Sequence, residues 1–186
     1  MTSFDSQFFS VPQEEKKKDY LWAIAKLLAI WTPDARPKVI VTDKELALMG
    51  ALDEVMAGSA NILCTWHINK NVLAKCKRMF SSGEEWDEFI SQWNCLISSS
   101  SVDEYERQWK KFCTSISASA ERSRLSIVTW LIHKERFINA WTSKHMHFGN
   151  TSTSRVEGSH AYIKKFLQTS TGDLLTMFLE KSPFSR

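Results

Sequence analysis

The sequence predicts an α/β chain, predominantly helical, with a short parallel sheet. Three observations predict it. Val39-Ile40-Val41 is a β-branched apolar run ending at Thr42-Asp43, the pattern of a strand buried on both faces. Asn61-Ile62-Leu63-Cys64 repeats that pattern, with a helical stretch over 44–57 between, so strand, helix and strand fall within about 25 residues, the spacing of a parallel unit. Beyond Cys64 every apolar pattern has the helical period.

The elements follow in order. The charged run from Pro12 to Asp19 precedes a helix whose apolar face is Leu21, Ile24, Leu28 and Trp31; Pro33 and Pro37 close it. Strand 39–41, helix 44–57 and strand 61–64 come next, with Gly58-Ser59 as the breaker. Four helical faces then succeed one another. They are Val72, Leu73, Cys76, Met79 and Phe80; Trp86, Phe89, Ile90, Trp93, Leu96 and Ile97; Tyr105, Trp109, Phe112, Cys113 and Ile116; and Leu125, Val128, Leu131, Ile132, Ile138 and Trp141. The Ser98–Ser101 run separates two of them. Gly149–Ser154 reads as a polar loop, and a last long helix is expected from about Ser154 to Leu167, with Gly172 parting it from a short terminal helix.

Composition bounds the function only loosely. With 43% hydrophobic and 12% aromatic residues, eight of them Trp, the 186-residue chain has enough apolar material for a packed core and is not a disordered segment. A net charge of +3 permits nucleic-acid binding without requiring it. No run approaches the roughly 18 apolar residues that cross a bilayer, so no membrane partner is expected. The opening residues are not a basic stretch followed by an apolar run. A reducing compartment, nucleus or cytoplasm, is therefore expected, with Cys64, Cys76, Cys95 and Cys113 as free thiols or metal ligands.

The chemistry-bearing positions each admit a plain reading. Asp43 leaves the carboxyl end of a parallel-type strand, where α/β proteins bind ligands. Asp is also a favoured N-cap, and from position alone capping the helix at Lys44 is the stronger reading. Glu157 stands three residues after Ser154, the Ser-x-x-Glu spacing of a capping box. His160 and Lys164 fall near the same helical face, which suits either a metal and phosphate site or an ordinary polar surface. Cys64-Thr65-Trp66-His67 has the spacing of half a zinc site, and burial of Cys64 as a small hydrophobe is the stronger reading, so zinc is not expected in this stretch. Lys70, Lys75, Lys77 and Arg78, and later Arg155 and Lys164, could touch phosphates or simply decorate helices.

Taken in order, these stretches resemble a family. Val39–Met49, with Asp43, is similar to the second-aspartate block of Mutator-like (MULE) transposases. Cys64–Leu73 resembles their Cys-x-x-His block, Asp19–Ile24 their acidic-aromatic helix, and His147–His160 the block holding the final glutamate. Plant far-red impaired response proteins are similar transposase-derived regulators. The resemblance implies a truncated RNase H-like fold, a short sheet remnant with an all-helical insertion between the second and third carboxylates. Residues 1–18 would be the remnant of an N-terminal strand region, 19–83 the α/β part, 84–142 the insertion and 143–186 the glutamate-bearing region, all in one domain. Asp43 and Glu157 would be catalytic ligands of Mg2+ or Mn2+, in a triad that holds paired cations for DNA cleavage and strand transfer. Cys64 and His67 would brace the site, and Lys70, Arg155, His160 and Lys164 would face DNA, the transposon ends. The family's first aspartate lies well before the helix at Asp19. Asp5 matches a later strand, so these residues are expected to hold two carboxylates of three and to be inactive alone. An exposed sheet edge would favour association, so a homo-oligomer is a further expectation. The competing readings are a non-enzymatic DNA- or protein-binding regulator and a decayed transposon remnant.

Overall fold

The structure is a computed structural model that describes residues 16–115 and 127–164, without the side chains of Ser115, His160, Ile163 and Lys164. The described chain forms two units, one ending at Ser152 and the other beginning at Thr153. It is mostly helical around a small two-stranded parallel sheet, the predicted class. Asp5, matched to a later strand, and the helix beyond Gly172 lie outside the described residues, as do Ile116 and Leu125.

In the first unit, α1 (Lys17–Ile30) begins where Lys16 N–H donates to the Asp19 carboxylate at 3.3 Å. Its inward residue Ile24 packs on Ala51, Leu52 and Met56 of the next helix and its C-cap, with Leu21, Leu28 and Trp31 around them. Strand β1 (Val39–Thr42) then pairs in parallel with β2 (Ala60–Leu63), Val39 opposite Ala60 and Thr42 opposite Leu63. The link between them carries α2 (Leu46–Val55), as a parallel crossover requires.

Cys64 starts α3 (Thr65–Cys76), whose Ile68, Val72 and Cys76 enter the main core. Leu73, expected on that face, is instead 49% exposed, because a residue next to Val72 is turned about 100° away from it. A short 3₁₀ turn, Lys77–Met79, leads to α4 (Gly83–Ile97), capped by the Ser82 hydroxyl accepting from Glu85 N–H at 3.2 Å. Its Trp86, Phe89, Trp93 and Leu96 are buried and Ile90 and Ile97 pack against them, as the spacing predicts. The serine run is a cap: Ser101 accepts from Glu104 N–H to open α5 (Val102–Ser115). Trp93 sits at the centre, with Phe112 at 6.4 Å and Phe137 at 6.3 Å between ring centroids, and its ring N–H donates to Asn69 at 3.0 Å. A buried indole nitrogen needs such a partner.

The last predicted face of this unit holds in part: Ile138 is in the core and Leu131 and Trp141 pack against it, while Val128 and Ile132 turn outward. Helix α6, described over 127–131, buries Ile127 and Trp130, while Val128 is 42% and Ile132 76% exposed. One helix was expected from Leu125 to Trp141. The helix instead ends at Leu131, a 3₁₀ turn runs Lys134–Arg136 and a short α7 (Asn139–Thr142) follows, so Phe137 and Ile138 reach the core by a new phase. In the second unit α8 (Ser154–Lys164) is the described element; its expected extension to Leu167 lies outside the described residues.

Candidate functional site at the end of the parallel strands

A cavity of about 290 Å³ opens in the first unit at the carboxyl end of β1, lined by Asp43, Lys44, His67, Asn71, Lys75, Thr129 and Trp130. Two elements and one loop build it. Thr42 is buried, and its hydroxyl donates to Asn61 of β2 at 3.1 Å, so the strand end is held and Asp43 emerges from a fixed point. Asp43 does not cap α2. Glu45 is the N-cap, with its own carboxylate accepting from Ala47 N–H at 3.0 Å. The expectation that Asp43 caps a helix starting at Lys44 is thereby corrected: the helix starts two residues later, and the acid nearer its first turn takes the orphan N–H. Asp43 is exposed and forms no hydrogen bond or ion pair among the described residues.

Lys44 crosses to the helical part. Its ammonium donates to the Thr129 carbonyl at 2.8 Å and lies 4.5 Å from the centre of the Trp130 ring. Burial, and then the charge of Lys75, hold its pKa below the ordinary lysine value. The cavity wall opposite is α3. His67, Asn71 and Lys75 recur every four residues and make one polar stripe, while Ile68, Val72 and Cys76, one position later each time, face the core. Asn71 donates to the His67 carbonyl at 2.9 Å, and the His67 ring meets the Trp66 ring edge-on at 4.8 Å.

The Cys-x-x-His pair divides between interior and cavity. Cys64 is fully buried, its N–H bonded to the Thr42 carbonyl at 2.7 Å and its Sγ donating to Ser152 Oγ at 3.9 Å. His67 lines the cavity. All four cysteines are free thiols. The loop preceding Ser152 is tied to the start of α3, where Thr65 N–H donates to Thr151 O at 2.9 Å. Just before that tie, Phe148 stands at φ 50° and Gly149 at φ 76°, the left-handed turn that lets the chain double back.

Lys70 is exposed beside Trp66, its ammonium 4.7 Å from that ring centre, and it does not line the cavity. In the second unit Glu157 is half-buried, accepting from the Thr153 hydroxyl at 2.8 Å while its N–H donates to Thr153 O at 3.0 Å. The partner in this geometry is Thr153, four residues back, rather than Ser154 at the spacing of a capping box, because the helix opens at Ser154 and Thr153 takes the cap position. Arg155 is exposed; the side chains of His160 and Lys164 lie outside the described residues.

Among the described residues no three His, Cys, Asp or Glu side chains gather as a metal site. The cavity itself offers a cation one carboxylate, one imidazole and one amide, and sets two ammonium groups against it. A hard cation such as Mg2+ asks for several oxygen ligands. The first unit taken alone therefore does not fit the paired-cation centre that the sequence leads one to expect. Lys44, Asn71, Thr129 and Trp130 line the cavity without having been expected there from the sequence. A four-residue polar period over 67–75 was available as a signal for Asn71; the Lys44 bond to Thr129 has none, since it joins positions 85 residues apart.

Residues 2–71 match the family model of the MULE transposase domain. The chain is homologous to Protein FAR-RED IMPAIRED RESPONSE 1 of Arabidopsis thaliana, 25% identical over 83% of this chain and 18% of that protein. It is similar too to Protein FAR1-RELATED SEQUENCE 11 of the same plant, 24% identical over 86% of this chain and 22% of that protein. The chain thus spans about a fifth of the length of these curated relatives. No solved structure matches it. No described helix is long and apolar enough to cross a membrane.

Proposed function

We propose, for a chain carrying a match to the MULE transposase domain, that it is part of a transposase-derived protein whose ligand is DNA and whose strand pair is the remnant of an RNase H-like core. In this reading Asp43 and Glu157 are the inherited carboxylates, Mg2+ or Mn2+ is the cation an intact site would use, and Cys64 and His67 brace the strand end. The nucleus or cytoplasm is where it acts, with association into a homo-oligomer.

The observation that carries the reading is Asp43. It is free of capping duty, exposed at the carboxyl end of a parallel strand, and shares a cavity with His67. That is the place where open α/β sheets bind ligands. A cation bound there would polarise a phosphoryl oxygen or activate water. The cavity's own residues fall short of such a centre, so the chain by itself is expected not to cut or join DNA. A binding module without chemistry, a transposase-derived regulator, is the second reading, and the two cavity lysines favour it.

The test is cleavage of end-labelled duplex DNA by the purified 186-residue chain in Mg2+ or Mn2+, beside a D43N/E157Q double variant. Equal background from both is the expected result. Metal-dependent cleavage by the unaltered chain that the double variant lacks would overturn the claim of inactivity and leave the carboxylate assignment standing.

A further inference from the structure

We infer that a second cavity, at the amino ends of the two strands, binds a small carboxylic acid with an apolar body, its carboxylate held by Arg36 and Lys38. Lys38 and Ser59 line it and lead directly into β1 and β2, so it lies at the other end of the sheet from Asp43. It stands independently of the DNA reading above.

The walls are set before a ligand arrives. Residues 33–38 form one side and residues 55–59, the end of α2 and the turn after it, form the other. The Ser59 hydroxyl ties them by donating to the Pro37 carbonyl at 2.6 Å, and Ala60 N–H donates to Lys38 O at 2.8 Å. Pro33 and Pro37 fix the backbone on either side of Arg36, which is extended at φ −66° and ψ 133°, as residues before proline are. A wall already in place lowers the ordering cost of binding.

Charge selects an anion. No acid lines the cavity, and two cations do. The Arg36 guanidinium and the Lys38 ammonium make no hydrogen bond or ion pair among the described residues. The carboxyl end of α2 opposes them with about half a negative charge, so a surplus of about 1.5 positive charges remains. The N–H groups of Ala57 and Gly58, also on the lining, donate to no backbone carbonyl. The Ser59 hydroxyl proton is spent on Pro37, so the unspent side-chain protons here belong to the two cations. A guanidinium fork meets the two oxygens of a carboxylate in parallel, and the ammonium adds a second charge-assisted contact.

Size and lining select the body. Leu28, Val55 and Met56 belong to the apolar cluster between α1 and α2 and line the cavity, so part of its wall is apolar and backed by packed side chains. A bare anion would leave that surface in water; a ring or branched chain would cover it. At about 230 Å³ the space falls below the roughly 300 Å³ at which drug-sized sites begin, which suits an acid carrying one ring.

The experiment is a titration of the whole chain with sodium phenylacetate, in a buffer free of other carboxylates, followed by amide NMR. Saturable shifts confined to residues 28, 33–38 and 55–59 are expected. R36Q should weaken binding at least tenfold, the loss of a bidentate charged pair, and K38Q several-fold. Both side chains are exposed and unpaired, so neither change should move the melt by more than about 2 °C. Phenylacetamide, which is neutral, and acetate, which has no ring, should each bind at least tenfold more weakly.

An absence of saturable shifts, equal binding of phenylacetamide, or indifference to R36Q would overturn the carboxylate site. Acetate binding as tightly as phenylacetate would overturn the apolar body. A peptide ending in Phe that bound more tightly than phenylacetate would overturn the free acid in favour of a chain terminus. K75Q alters only the cavity at Asp43; loss of binding there would overturn the placement. None of these readouts depends on DNA or on a metal.

Discussion

Lys44 is a test of how the helical part is fastened to the parallel strands. K44M keeps the side-chain stem against Trp130 and deletes only the charge. Two interactions go with it: the 2.8 Å hydrogen bond to the Thr129 carbonyl and the ammonium lying 4.5 Å from the Trp130 ring centre. A hydrogen bond from a charged donor is worth about 1.5–3 kcal/mol and a cation–π contact at an exposed site about 0.5–1 kcal/mol. Against this stands the cost that shows in the lowered pKa of Lys44, from burial and from the charge of Lys75. A net loss of about 1–2 kcal/mol follows once that cost is relieved. For a chain of this size each kcal/mol moves the midpoint by about 2–4 °C, so K44M should melt about 2–8 °C lower. The assay is thermal unfolding at pH 7, followed in the near ultraviolet, where Trp130 reports. K70M is the control: it deletes a contact of the same cation–π kind, over the exposed Trp66, without the hydrogen bond to Thr129, so its melt should fall by about 1–4 °C, less than that of K44M. A K44M chain as stable as the parent would refute the reasoning, since it would mean that desolvation and repulsion from Lys75 cancel the clamp entirely.

Two further outcomes rest on the same geometry. E45A removes the N-cap of α2 and should cost about 1 kcal/mol in denaturant unfolding, whereas D43A should cost nothing through capping; equal losses would restore Asp43 as the cap. His133 is held below its ordinary pKa by burial first, then by Lys44 and Arg136. The unfolded chain therefore takes up a proton on this ring before the folded one does, so stability should fall as pH drops below about 6.5 towards the depressed folded value, and be flat in this group above it. H133Q should flatten that part of the profile, and an unchanged acid limb in H133Q would refute it.

The legible and illegible parts of the fold divide along physical lines. The strands and their parallel sense were legible because a β-branched run has one use and two of them around a helix have one geometry. The buried face of α4 was legible because Trp86, Phe89, Trp93 and Leu96 keep one phase over about three turns. The phase error at Val128 and Ile132 arose because periodicity does not show where a helix stops; the helix ends at Leu131, and Phe137 and Ile138 reach the core beyond it. Asp43 was misjudged because three polar residues precede α2 and propensity does not say which will meet the first free N–H. The acid at 45 took it. The cavity was half visible. His67 and Asp43 could be named from their motifs, but Lys44 and Thr129 meet only through the folded chain.

The alternation along α3 has a consequence for how this domain can change over time. Wall and core positions are interleaved one residue apart: His67 beside Ile68, Asn71 beside Val72, Lys75 beside Cys76. A single inserted or deleted residue turns the rest of the helix by about 100° and would send the polar stripe into the core and the apolar stripe into the cavity. Length changes in this helix are therefore closed to drift. Substitutions on the wall stripe remain open, since none of them touches the packing behind it. A lineage that abandoned one ligand for another could rewrite the cavity through point changes at those few positions and keep the same fold beneath it.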